Sequence, residues 1–571
     1  MQVNSNRQTK RSANYQIKTH KPSFHVIPLG GMEEIGKNCT VIECGDDMIL
    51  IDCGLKFPDS EQYGIDLVIP DFTYLENNEQ MIRGLFLTHG HEDHIGAIPY
   101  LLKKFPDLPI YGTKLTIGLL QNKLVEHGLD KTAKLNIVSY HETVEVSGFS
   151  VEFVVTNHSI ADSAALYVKC AGGSVFHTGD FKIDLTPVDN QRIDLARFAA
   201  IGAEGVDVLI ADSTNAGKKG YTPSERTVGE SFHTLFAGVK KRIVIASFAT
   251  NIHRIQQIFD AAKFFGRKVT VSGRSMINVV GVAKNLGYLK FDDDGLIDIK
   301  DVVKFPDEEI VVLTTGSQGE PLSALARMAS GEHRQVKIDE NDLVIISATP
   351  IPGNEKSVAS IISELMKLGA QVVYQGAKDV HVSGHANAGD LTLIQALIQP
   401  KYFVPCHGEY QMLISHALIA ESAGLPSENA FVMQNGQILT VDEDEAYISG
   451  SVPSGAILID GLGIGDVGNI VLKDRKRLSE DGLLIVVAAL GDNGIMSGPD
   501  IVSRGFVYMR ESEDLLMEAR EHSVEIILRH GENIYDYSSI KADLKGELEK
   551  FLYERTKRRP MILPILMYVK D

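Results

Sequence analysis

The stretch LTHGHEDHIGA, residues 87–97, constrains this chain more than any other. Positions 89–94 hold three histidines, a glutamate and an aspartate, between the strand-like GLFLTHG and the helix-like DHIGAIPYLLKK. Side chains two apart on an extended segment point the same way, so His89 and His91 can face one point. Asp93 and His94, at the start of the helix, can turn to a second point nearby. Imidazoles and carboxylates without cysteine suit a hydrolytic Zn2+ or Mn2+ better than a structural zinc. The H-x-H-x-D-H pattern offers more ligands than one ion can use while still binding water, which implies two ions.

Such a site needs ligands from distant segments, and the sequence has them at the ends of further strand-like runs. His158 in VVTNHS, Asp180 in FHTGD and His407 in FVPCHGEY each close one, and the Asp180 carboxylate could bridge both ions. Asp52, closing ILIDCG, could hold a ligand imidazole through its other nitrogen. Any one of these alone is an ordinary polar residue at a strand terminus; the set together with H-x-H-x-D-H is not.

The rest of the chain limits the setting. Its 571 residues suggest about three or four domains, and 44% hydrophobic with 23% charged residues is ordinary globular composition. The longest apolar runs, such as LLIVVAAL at 483–490, are of strand length, far short of the roughly 20 residues a bilayer requires. The N-terminal segment carries five Lys/Arg, no acid and no apolar core of a secretory signal, so residues 1–22 are expected to be a flexible basic arm. Five cysteines without a C-x-x-C pair argue for a reducing cytoplasm and against a disulfide framework. A net charge of −19 argues against indiscriminate binding of nucleic acid to the outer surface, though a local cleft can still be basic.

The first 200 or so residues alternate β-rich runs with a few helices, which suggests a layered α/β sandwich. From about 216 the pattern becomes regular βαβ, with KRIVIASF, KVTVSG, EEIVVLTTG, LVIISATP and AQVVYQG as strands of a mostly parallel sheet. The acidic, Gly/Pro-containing VDEDEAYISGSVPSG marks a linker or small hairpin unit. A small α/β domain fills the last hundred residues or so.

THGHEDH, NHS, HTGD and ILIDCG resemble the motifs of the metallo-β-lactamase superfamily. ADSTN at 211–215, HVSGH at 381–385 and the following PCHGEY resemble those of its β-CASP branch, which processes nucleic acids. With IGKN, TPSER, GSQGEP, IPGNE, SRGFVYMRES and YERTKRRP, nearly the whole chain beyond its N-terminal arm is similar to bacterial ribonuclease J. The resemblance implies an α/β fold: a metallo-β-lactamase αββα sandwich, an inserted β-CASP parallel-sheet domain and a small C-terminal α/β domain. The expected divisions are 23–215 and 378–443 for the sandwich, 216–377 for the insertion, 444–466 for a linker and 467–571 for a C-terminal, dimerising domain.

By the same resemblance, His89, His91, His158 and Asp180 hold one Zn2+ or Mn2+, and Asp93, His94, Asp180 and His407 the other. A hydroxide between the ions is the expected nucleophile on an RNA phosphodiester. His385 assists the leaving 3′-oxygen with Asp212 supporting it, so the catalytic set is His385, Asp93, Asp212 and Asp52. His381, Val382, Ser383, Gly384 and His385 wrap the 5′-monophosphate of single-stranded RNA, small residues and backbone N–H groups being suited to an anion. Ala249, Thr250 and Asn251 of the FATN loop precede a helix, whose N-terminus could face phosphate or base; an ordinary N-cap is the alternative. Arg274 in SGRSM is a candidate backbone-contacting cation. The resemblance extends to a structural Ca2+ near Tyr63, Ile65 and Asp460, to a homodimer or tetramer, to a paralogous subunit and RNA-degradosome partners, and to no membrane.

Other signals carry less. LGGMEEIG at 29–36 has the wrong glycine spacing for a dinucleotide loop and suggests a tight turn, and GSQGEP lacks the Lys-Ser/Thr of a P-loop. The basic run RTKRR at 555–559 could touch RNA or simply be solvated. A small-molecule hydrolase shares H-x-H-x-D-H but leaves ADST, HVSGH and the added domains without a purpose. A non-catalytic scaffold paralogue is expected to have broken metal motifs, and none is broken here.

Overall fold

The computed structural model describes residues 21–570 apart from 60, 321, 352–353, 375–378, 492–493, 508–512 and 532–534. Apart from residues 21 and 22, the expected basic arm lies outside them. Two compact units emerge: residues up to Lys56 with Ile69–Ala456, and Phe57–Val68 with Ile457–Asp571. No helix among the described residues is long and apolar enough to cross a membrane.

The first unit contains a β-sandwich. One sheet has eight strands in the order Ala446–Ser451, Gln437–Val441, Phe24–Gly30, Cys39–Cys44, Asp47–Ile51, Ile82–Phe86, Pro109–Gly112 and Lys134–Ile137. The other has six, in the order Tyr402–Cys406, Val208–Asp212, Gly173–His177, Ala164–Cys170, Phe149–Val155 and Thr143–Val146. Ile42, Ile49, Ile51 and Phe86 of the first sheet meet Phe153, Leu166, Val175 and Ile210 of the second in one buried core. On the far side of the six-stranded sheet, helices Leu195–Glu204, Ala388–Ile398 and Tyr410–Ser422 bury Phe176, Phe198, Ile394 and Phe403. Coverage on both faces is why MILI and VLIA are continuously apolar instead of alternating.

Val208–Asp212 and Tyr402–Cys406 are parallel neighbours, with Asp212 opposite Cys406. The chain leaves the sandwich after Asp212 and comes back to that same end, where Asn215 bridges Asn387, before helix Ala388–Ile398 carries it to the start of Tyr402–Cys406. Its sheet is wholly parallel, in the order Lys268–Ser272, Ile310–Thr314, Arg242–Ala246, Asp342–Ile346 and Gln371–Tyr374. These are the strands expected from the βαβ pattern. Of the linker or small hairpin expected here the hairpin forms: 442–445 are a turn closed on the Asp442 carboxylate, and Ala446–Ser451 pairs back on Gln437–Val441 as an edge strand of the eight-stranded sheet.

Arg254, wholly buried on helix Ile252–Phe264, ties the insertion to the sandwich. Its guanidinium pairs with both Glu225 oxygens at 2.8 and 2.9 Å and donates to the carbonyls of Ser347 and Val382. One side chain thus fixes the start of the insertion, a strand end of its sheet and the HVSGH segment. Arg254→Met is expected to destabilise the protein by about 3–5 kcal/mol, because it leaves the buried Glu225 carboxylate unpaired. Urea unfolding of both proteins measures this, and Arg254→Met with Glu225→Gln is expected to recover part of the loss.

In the second unit, strands Gly494–Arg504, Leu483–Gly491 and Met561–Tyr568 form a sheet in that order. Leu484, Val486, Ala488 and Leu490 alternate inward against helices Glu513–Arg529 and Tyr537–Thr556. Leu563, Ile565 and Met567 remain exposed.

Candidate metal centre and nucleic-acid site

The site is assembled where strands of the two sheets end. His89 follows Ile82–Phe86, His158 follows Phe149–Val155, Asp180 follows Gly173–His177, and His407 directly follows Tyr402–Cys406. Helix Glu92–Ile95 brings Asp93 and His94 round to the same place. Asp52 and His407 both take left-handed backbone, φ 59° and 51°. That costs on the order of 1 kcal/mol each, and here it turns a strand-end side chain into the cleft.

The ring nitrogens converge as ligands do. His91 Nδ1 lies 3.1 Å from His89 Nε2 and 3.1 Å from His158 Nε2, and the Asp180 carboxylate is 3.9 and 3.8 Å from the latter two. Around a second point, His94 Nε2 is 3.3 Å from Asp180 and 3.7 Å from Asp93, while His407 Nε2 is 3.1 Å from Asp93. Ligand atoms around a tetrahedral ion are about 3.4 Å apart, so both groups have the dimensions of a cation site. They share Asp180.

Neighbouring groups fix which nitrogen faces inward. Nδ1–H of His94 donates to Asp52 Oδ2 at 2.7 Å, that of His158 to the Gly384 carbonyl at 2.8 Å, and that of His407 to Thr214 Oγ1 at 2.8 Å. Each bond commits Nδ1–H to its partner and leaves Nε2 as the nitrogen aimed at the site, the one a metal ion would take. Thr88 donates through its N–H and Oγ1 to both Asp52 oxygens at 2.8 and 2.7 Å, holding the holder. Gly384 must be glycine: a Cβ there would lie 2.7 Å from His158 Cε1.

Charges follow the same division. Burial keeps His89 and His158 well below the ordinary imidazole range, and His91 at about 4, so this trio is neutral at pH 7. Around the second point burial acts the same way, but Asp180 and Asp93 outweigh it and hold His94 well up, while Asp180 and Asp212 carry His407 to about 10. Without a cation, protons neutralise the carboxylates there; a divalent ion would displace them.

Beside this cluster, His385 Nδ1–H donates to Asp212 Oδ2 at 2.8 Å, and its ring stacks on His407 at 5.4 Å and 16°. Burial lowers the basicity of His385, Asp212 more than restores it, and the imidazole ends above its ordinary value. The other HVSGH side chains lie alongside: His381 Nδ1 is 2.9 Å from Thr349 Oγ1, and Ser383 Oγ accepts from Asn215 Nδ2 at 2.8 Å. The Val382 carbonyl is turned away to Arg254.

The FATN loop is split. Asn251 is an N-cap, its side-chain Oδ1 accepting from Arg254 N–H at 3.0 Å, which engages it in the helix. Ala249 is partly exposed. Thr250 and Arg274 line a cleft of about 570 Å3 that also takes in Gly90, Glu92, Lys123 and Arg327. Thr88, Thr214, Arg254 and this cleft's Lys123 and Arg327 were not singled out from sequence. The two threonines lie inside motifs that were, whereas Arg254 gives no local signal because its partners are 29, 93 and 128 residues away.

Tyr63 and Asp460, expected near a structural Ca2+, lie together, and both face Arg475. Arg475 donates to the Asp460 carboxylate and, at 3.0 Å, to the Tyr63 carbonyl, and a Cβ on Gly64 would lie 2.8 Å from its guanidinium. Ile65 adds only backbone and a buried side chain.

Comparisons with known proteins agree with this geometry. Four family models match: the metallo-beta-lactamase superfamily over residues 33–200, the ribonuclease J beta-CASP domain over 240–365, the RNA specificity domain of Zn-dependent metallo-hydrolases over 369–433, and the ribonuclease J C-terminal domain over 470–569. Ribonuclease J2 of Bacillus subtilis is 44% identical, the match spanning 97% of this chain and 100% of that protein. Ribonuclease J 1 of Streptococcus pyogenes is 42% identical over 95% and 97%, and ribonuclease J 2 of Staphylococcus aureus 40% identical over 96% and 99%. A crystal structure of an Enterococcus faecalis protein of unknown function, at 16% identity, has the same fold with a TM-score of 0.53, covering 73% of this chain and all of that one. On its sequence and all four of its domain matches, the chain belongs to the ribonuclease J family.

Proposed function

We propose that this protein is a two-metal ribonuclease that degrades single-stranded RNA 5′→3′ from monophosphorylated ends and also cuts internally. The observation that carries the proposal is the pair of ligand groups sharing Asp180, with the Asp212–His385 pair beside them and HVSGH at the edge. Two Zn2+ or Mn2+ ions held by His89, His91, His158, Asp180, Asp93, His94 and His407 would supply activated water and offset charge on the phosphate.

The protein's own groups do the rest. Asp52, Gly384 and Thr214 keep three ligand imidazoles in the right tautomer. Asp212 holds the His385 imidazolium, whose Nε2–H is placed to protonate the departing 3′-oxygen. His381 and Ser383 offer polar atoms to a terminal phosphate, and Thr250 and Arg274 line the adjoining cleft for the strand. An intact ligand set gives no support to a scaffold role.

Homodimerisation through the C-terminal unit is supported by the apolar face of Leu563, Ile565 and Met567, and a cytoplasmic setting by five free cysteines. A paralogous subunit and RNA-degradosome partners rest on the family resemblance.

The test is decay of one 3′-labelled RNA bearing a 5′-monophosphate, triphosphate or hydroxyl, with Mn2+ or Zn2+ and with EDTA. Monophosphate RNA is expected to decay fastest, and chelation to stop all cleavage. Ser383→Ala with His381→Ala is expected to remove most of the monophosphate preference while leaving internal cutting. Cleavage indifferent to the 5′ end would sink the phosphate-pocket reading but leave the metal centre.

A further inference from the structure

Away from the metal centre, two half-buried cysteines from different sheets meet. Cys44 is the last residue of Cys39–Cys44 in the eight-stranded sheet, and Cys170 the last of Ala164–Cys170 in the six-stranded one. Cys44 stands opposite Phe24, and the turn after Cys170 packs on Phe24: a Cβ on Gly172 would lie 3.1 Å from Phe24 Cβ. Both cysteines pack against the one buried core that holds Phe24, and the Cys170 thiol and the backbone of Gly172 and Ala171 are the neighbours that act on the Cys44 thiol.

Both lie at the end of the sandwich remote from the ions. Cys44 pairs with Asp47 and Cys170 with Gly173, the starting residues of strands whose far ends lead to Asp52, which holds His94, and to Asp180. The Cys170 thiol, the two backbone N–H groups and His25 hold the Cys44 thiol at about 6 against the opposing effect of burial, whereas Cys170 is pushed up. A thiolate with a protonated thiol beside it is the arrangement of an attacking cysteine and its resolving partner.

We propose that Cys44 and Cys170 are a redox pair that closes, on exposure to a hydroperoxide, into a disulfide joining the two sheets. The Cys44 thiolate attacks one peroxide oxygen, the O–O bond breaks, and the hydroxide takes a proton to leave as water, giving a sulfenic acid. The Cys170 sulfur then attacks the Cys44 sulfur and displaces hydroxide, which takes the Cys170 proton and leaves as a second water. Two thiols are oxidised and one peroxide is reduced. The bond would link elements already in contact, far from the ions, so it would brace the sandwich without entering the catalytic cleft.

The full-length protein, reduced and then treated with hydrogen peroxide, is digested without reductant and mapped by mass spectrometry. A peptide pair joined through Cys44 and Cys170 is expected, with the unfolding midpoint raised by a few degrees and RNA cleavage within about twofold. Cys170→Ser is expected to stop at a sulfenic acid on Cys44 that dimedone captures; Cys44→Ser should give neither product. As a check needing no variant, iodoacetamide at neutral pH should modify Cys44 at least about tenfold faster than buried Cys39, Cys53 and Cys406. Uniform alkylation of the thiols, or peroxide treatment that leaves Cys44 and Cys170 unlinked, overturns the proposal.

Discussion

Asp180→Asn is expected to lower RNA turnover by at least about 10⁴-fold while the protein stays folded. No other side chain belongs to both ligand groups, and its buried oxygens approach His89, His158 and His94 within 3.9, 3.8 and 3.3 Å. Burial disfavours its charge, but His407 and His94 hold the carboxyl below its ordinary range, so it is ionised wherever the enzyme works. Asparagine keeps the shape, removes the charge from both points and turns an N–H donor toward one of them. Single-turnover cleavage measures the loss, and elemental analysis should find fewer than two ions per chain. A variant that holds two ions and cleaves within tenfold of the parent would show that Asp180 is not shared.

His385→Ala is expected to cost about 10²–10⁴-fold, the usual range for a general acid. Its Nδ1–H is committed to Asp212, so only Nε2 can meet the substrate. A substrate whose scissile 3′-oxygen is replaced by sulfur tests the role directly, because a thiolate leaves without protonation; on it the variant should recover most of the loss. The pH profile gives a second readout. Asp212 outweighs burial and raises this imidazole above its ordinary value, so the acid form is present below that raised pKa and activity falls as pH rises through it. Asp212→Asn should move that alkaline limb to lower pH. An equal loss on the oxygen and sulfur substrates would instead make His385 a binding residue.

Much of this was legible locally. H-x-H-x-D-H, NHS and HTGD mark ligands because a metal site demands particular side chains at strand ends, and the βαβ run from 242 marks a parallel sheet because both faces are covered. Other elements were not. The acidic, glycine-containing stretch around Ala446–Ser451 could be linker or hairpin by sequence, and the open edge of Gln437–Val441 beside it decides for the hairpin. The resemblance links Asp460 and Tyr63, but Arg475, which donates to both, leaves no local signal because Tyr63 lies 412 positions from it.

The sequence by itself determined the chemistry: which donors are present, that they favour hydrolytic divalent ions, and that the insertion between ADST and HVSGH belongs to a nucleic-acid enzyme. Only the tertiary structure decided which nitrogen of each histidine faces inward and how Arg254 binds three segments together. Those outcomes depend on hydrogen bonds between residues up to 226 positions apart, such as His158 with Gly384, and distances of that kind are set by packing of the two sheets and leave no trace in local spacing.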